Sequence, residues 1–136
     1  MTPFADSEQL YSCMQVLFGT IEEENPGAGD AISASRLVIH IRCVEPVAEV
    51  TIDGRKRPVE ISYGPPKMRP TLHIELVTET LHRILLGELG LRQAFTRGQL
   101  KVRGPVHRVM VLANLFDELQ KYYPQVLQEQ CLASNL

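Results

Sequence analysis

The chain has no CxxC pair. Its three cysteines, Cys13, Cys43 and Cys131, are scattered and odd in number, which indicates neither a disulfide framework nor a structural zinc knuckle. Reduced cysteines are expected, with Cys13 and Cys43 as small apolar side chains and Cys131 inert. No HxxxH, HExxH or HxH pair is present among His40, His73, His82 and His107, so no local metal-ligand set is written into the chain and no catalytic or metal residue is nominated. His40 and His73 fall on polar strand faces, and His82 and His107 fall near helix starts, so all four are expected to be solvated. Neither GxSxG nor GxGxxG nor a GKS/T ending occurs, which leaves hydrolase and phosphate-loop chemistry without support. Glu22, Glu23 and Glu24 fit a solvated helix end.

There is also no apolar run near the roughly twenty residues that a membrane span needs, and residues 1–11 have neither the basic start nor the apolar stretch of a signal peptide. Stable membrane insertion is not expected, and a cytoplasmic location is. A net charge of -2 and a pI of about 6.1 give no electrostatic footprint for nucleic acid. What the chain does have is an ordinary globular balance of 44% hydrophobic and 22% charged residues over 136 positions. That fits a single domain over 1–136, with its core at about 6–123 and a tail from 124.

The most informative stretch is 81–104, LHRILLGELGLRQAFTRGQLKVRG. Leu81, Ile84, Leu85 and Leu89 recur at three- and four-residue intervals, which puts them on one helix face that Leu86 widens. Gly87, Gly90, Gly98 and Gly104 punctuate three short elements. Leu100 and Val102 then alternate with Gln99, Lys101 and Arg103, as a half-buried strand requires.

Upstream, a helix is expected over 6–24, capped by Asp6 or Ser7, with Leu10, Met14, Leu17 and Ile21 as its apolar stripe. The run Asn25-Pro26-Gly27 ends it, and 25–30 reads as a turn-rich connection. Leu37, Ile39, Ile41 and Cys43 share one strand face, opposite Val38, His40 and Arg42. Ala48, Val50 and Ile52 form a second strand, and Asp53-Gly54 signals a turn into Val59, Ile61 and Tyr63. Leu72, Ile74 and Leu76 form a fourth strand, so the set reads as an antiparallel meander. The basic run Arg55-Lys56-Arg57 fits a solvated turn. A last helix is expected over 105–121, reaching 123 before Pro124. Its apolar residues, among them Val109, Met110, Ala113 and Phe116, spread around most of the circumference, so more than one side is shielded.

The order of apolar helix, Leu85-Leu86-Gly87-Glu88-Leu89, Ala94-Phe95 and Gly98-Gln99-Leu100-Lys101-Val102-Arg103-Gly104 resembles the sterol carrier protein 2 (SCP2) superfamily of lipid-binding domains. Pro70 and Pro105 stand where that family often has polar residues, and both lack a backbone donor. The resemblance implies an α+β fold with an antiparallel five-stranded sheet packed against N-terminal and C-terminal helices around an apolar tunnel. It implies non-catalytic binding, and possible transfer, of a sterol, fatty acid, acyl-CoA or isoprenoid quinone lipid, with no cofactor. By position in the motif, Leu81, Ile84, Leu85, Phe95, Leu100 and Val102 form one wall, facing Val109, Met110, Ala113 and Phe116, and Met68 gates one end because methionine adapts to irregular ligands. Asn114 and Gln99 have a weaker claim to a polar headgroup. The alternative is an SCP2-like interaction module that docks a partner enzyme or a second subunit, as in a homodimer, without lipid transfer. The ending Ser134-Asn135-Leu136 lacks the basic residue of a Ser-Lys-Leu address. The segment before it reads as a tail or a lid.

Overall fold

A computed structural model describes residues 3–132, with side chains through 129. Helix α1 (Ser7–Glu24) starts where the Asp6 side chain accepts the Gln9 backbone N–H at 2.9 Å. It buries Leu10, Cys13, Met14, Leu17, Phe18 and Ile21, the positions that a three- and four-residue repeat brings to one side. A 3-10 turn (Pro26–Gly29) follows, then a short helix α2 (Asp30–Ser35), then β1 (Val38–Val44), β2 (Ala48–Asp53), β3 (Glu60–Tyr63) and β4 (Leu72–Val77). Helices α3 (Thr78–Leu85) and α4 (Leu91–Thr96) lead to β5 (Lys101–Arg103). A second 3-10 segment (Val106–Leu112) precedes α5 (Ala113–Val126).

The strands form one five-stranded sheet in the order β3-β2-β1-β4-β5. It is mixed rather than antiparallel throughout: β1 pairs antiparallel with β2 but parallel with β4, in the register Ile39↔Leu72, Ile41↔Ile74 and Cys43↔Leu76. After β3 the chain crosses back to the free side of β1, and the Thr71 N–H donates to the Val38 carbonyl at 2.8 Å as β4 begins. Alternation shows which side chains share a face, but it does not show which strand is the neighbour or in which direction it runs. Ile39, Ile41, Cys43, Val50, Ile52, Leu72, Ile74 and Leu76 are all buried in the core against the helices. Polar side chains occupy the opposite face.

Three local expectations change. The turn expected over 25–30 gives way at its end to a helix, α2, over 30–35. The last helix opens in 3-10 geometry, where Val106, Val109 and Val111 supply the β-branched crowding that weakens an α-helix. It also continues through Pro124 to Val126, because buried Tyr123, Val126 and Leu127 anchor the final turn against the single hydrogen bond that proline forfeits. Cys43 is a free, buried thiol, and burial pushes its pKa up to about 12. Cys13 is disulfide-bonded, which corrects its assignment as a reduced side chain. The Cys131 side chain and the Ser134 to Leu136 ending lie outside the described residues.

Candidate functional site

Leu81, Ile84, Leu100 and Phe116 converge as the motif places them, joined by Ile41, Ile74, Leu76, Leu91 and Leu112. The space between them is about 10 Å³, near the lower limit for one water molecule. The expected apolar tunnel is therefore not open. Branched and aromatic side chains from the sheet, α3, α4 and the last helix close the space. Leu85 sits in a second void of about 20 Å³ with Leu10, Met14, Leu17 and Tyr123. Val109 is buried in the core, while Phe95, Val102 and Met110 are half-buried against it and Ala113 is half-buried. Met68 is not brought to this group. Its sulfur lies 3.1 Å from Arg55 Nη2, outside the helical layer. Gln99 is half-buried, with its Oε1 unpartnered among the described residues, and Asn114 is exposed.

A larger cleft opens elsewhere along the same helix-and-sheet layer. It has a volume of about 380 Å³, and its apolar lining is Phe18 and Ile21 from α1, Ala28 in the turn, Val59 and Ile61 around the edge strand β3, and Leu115 of α5. That volume is in the range of small-molecule sites. The turn forms one side because Gly29 approaches Val59 so closely that a Cβ there would sit 2.7 Å from Val59 Cγ2. Leu115 faces the cleft and the next residue, Phe116, faces the closed void. One turn of α5 thus separates the open space from the predicted walls. Sequence reasoning placed Val59 and Ile61 on one strand face and Ile21 on the apolar stripe of the first helix. The missing signal was their meeting across the small residues Ala28 and Gly29.

The far side of the sheet holds a separate polar cluster. His40 Nε2 lies 2.9 Å from Glu49 Oε1, and His40 Nδ1 lies 2.7 Å from His73 Nδ1, with the two rings stacked at 4.7 Å. A carboxylate only accepts, so His40 donates from Nε2 to Glu49, and one proton is shared between the two Nδ1 atoms. His40 is buried and His73 half-buried, which corrects the expectation of solvated imidazoles. Desolvation, then the neighbouring His40 and Arg103, lowers the His73 pKa below its ordinary value. His82 is also paired, with Nδ1 at 2.7 Å from the Tyr123 hydroxyl, and burial lowers its pKa. His107 is exposed. Arg42 meets Glu75 at 2.8 Å beside the histidine pair. In the basic turn, Arg55 is held by both oxygens of Asp53 and Lys56 by Glu60. Among the described residues no group of three or more His, Cys, Asp and Glu side chains is arranged to hold a metal ion, and no helix is long and apolar enough to cross a membrane.

A mixed five-stranded sheet with helices over its apolar face, and an apolar cleft between the layers, defines an α+β domain of the sterol carrier type. The sequence matches the model of the SCP-2 sterol transfer family over residues 18–117, and the chain belongs to that family. Its fold is similar to the solution structure of the sterol carrier protein domain 2 of Helicoverpa armigera, with a TM-score of 0.62 at 15% identity over 83% of this chain and 89% of that one. It is similar as well to apo sterol carrier protein 2 from Yarrowia lipolytica, with a TM-score of 0.59 at 14% identity over 82% of this chain and 89% of the other. A third similar structure is the UbiJ-SCP2 ubiquinone synthesis protein, with a TM-score of 0.55 at 18% identity over 85% and 94% of the two chains. No curated protein matches the sequence.

Proposed function

We propose that the protein holds a lipid by its apolar part, without a covalent step, and releases it to an acceptor. The observation that carries this reading is the cleft of about 380 Å³ walled by Phe18, Ile21, Val59, Ile61 and Leu115, in a chain that belongs to a lipid-binding family. Each methylene moved from water into such surroundings gains about 0.8 kcal/mol, so a chain of moderate length offsets the entropy lost on binding. In this reading the cleft is the outer end of the site, and Leu81, Ile84, Leu100 and Phe116 are an inner end that parts when a long chain enters.

The test uses an uncharged fluorescent fatty alcohol, together with native mass spectrometry of gently purified protein. Saturable uptake by the unmodified chain is expected. Val59→Asp places a carboxylate on the apolar wall at a half-buried position, and it should weaken uptake about tenfold or more while the circular dichroism stays unchanged. An empty protein with no saturable uptake would remove the proposal. If the chain were found only in a stable complex and took up no lipid, the interaction-module reading would replace it.

A further inference from the structure

The ionisable side chains lining the cleft are both carboxylates, Glu22 and Glu60. Glu60 meets Lys56 at 2.7 Å, but both side chains are more than half exposed, so water and salt screen that pair. Glu22 has no ion-pair partner among the described residues. The carboxyl end of α1 points to the same rim, and its last turn contains no basic residue, so the helix dipole adds negative potential there. Asn25 also lines the rim. The cations nearby do not reverse this sign. Arg57 is exposed and does not line the cleft, and Lys121 is held by Glu118 at 2.7 Å. A shallow polar recess that shares Asn25 and Ala28 with the cleft has Asp117 and Glu118 against Lys121. The influence of Glu22 also reaches inward, because its charge adds to burial in raising the Tyr63 pKa to about 12.

Building on the lipid-holding reading, we infer that the cleft selects lipids whose polar end is uncharged and donates a hydrogen bond, and discriminates against carboxylate- and phosphate-headed ones. Carboxylate oxygens accept and never donate when ionised. A hydroxyl at the end of an apolar chain therefore donates a hydrogen bond to Glu22. A fatty-acid carboxylate in the same place meets the like charge of Glu22 and Glu60.

The discriminating experiment titrates dodecanol and dodecanoate, matched in chain, against protein loaded with the fluorescent fatty alcohol, at about pH 8, where the ligand carboxyl is ionised. Dodecanol should displace the probe at a concentration about fivefold lower, the factor expected for one like charge at about 4 Å in wet surroundings at low salt. Glu22→Gln combined with Glu60→Gln changes exposed positions, and it should narrow the ratio to about twofold or less, chiefly by tightening dodecanoate. Equal displacement by the two ligands, or a ratio that the double variant leaves unchanged, would overturn the inference while leaving lipid holding intact. Failure of both ligands to displace the probe would count against the lipid-holding reading, and the inference would fall with it.

Discussion

His40 and His73 occupy facing positions on β1 and β4 and share one hydrogen bond, so a proton taken up by His73 sets a charge against the buried His40 ring. The lowered His73 pKa has a definite sign in the stability of the fold. Between the folded value and the unfolded value near 6.5, the unfolded chain binds more protons, so stability rises with pH in that window. The contribution is complete above about pH 6.5 and declines as the pH falls through that value. His82, also lowered by burial, acts in the same direction. Urea midpoints should fall from about pH 7.5 to about pH 5.5 more steeply for the unmodified chain than for His73→Gln, which cannot take up this proton. Identical slopes would show that His73 does not couple to folding. Sequence alternation placed both histidines on the polar strand face and could go no further. Their partnership depends on β1 and β4 being neighbours, and no local pattern encodes that.

At the scale of elements, the punctuation of 81–104 was legible. Gly87, Gly98 and Gly104 all have positive φ, whereas Gly90 stands at φ -72 and begins α4. The first and last of the three separate two effects. Gly87, at φ 79, has open space around a virtual Cβ, while at Gly104, φ 104, a Cβ would collide with the Thr71 carbonyl oxygen at the start of β4. Gly87→Ala should therefore cost only the backbone strain, about 1 kcal/mol. Gly104→Ala adds displacement of a strand and should cost more, about 2 to 3 kcal/mol, when both are measured by chemical denaturation. Equal losses would mean that the strand yields freely. Helix α2 escaped the reading because six residues hold too little periodicity to distinguish a helix from a turn. The first turns of the last helix were assigned by apolar content, which does not separate 3-10 from α geometry.

Across the whole molecule, the layering of helices on one sheet face followed from the phase of the apolar residues, and the position of the cleft did not. The cleft is bounded by α1, a turn, the edge strand and α5, segments far apart in sequence that meet only after folding. If it is the lipid site, occupancy stabilises the folded chain by about 2.7 kcal/mol at a free ligand concentration of about one hundred times Kd. That corresponds to a Tm increase of about 4 °C for each kcal/mol in a domain of this size. Dodecanol should raise the Tm of the unmodified chain and have little effect on Val59→Asp, as read by thermal unfolding. Equal shifts in the two proteins would indicate binding elsewhere.

The parallel pairing of β1 with β4 also bears on how the chain reaches this state. These two central strands are separated in sequence by β2, β3 and the crossover, so their alignment must close a loop much longer than that of a hairpin. The entropy of that closure is lost before the core between Ile41, Ile74 and Leu76 can return any stabilisation. The β2–β3 hairpin and α1 can form on local information alone. The centre of the sheet, where the two halves of the chain are joined, depends on contacts at long range, and it links the rate of folding to the crossover that sequence alternation left unread.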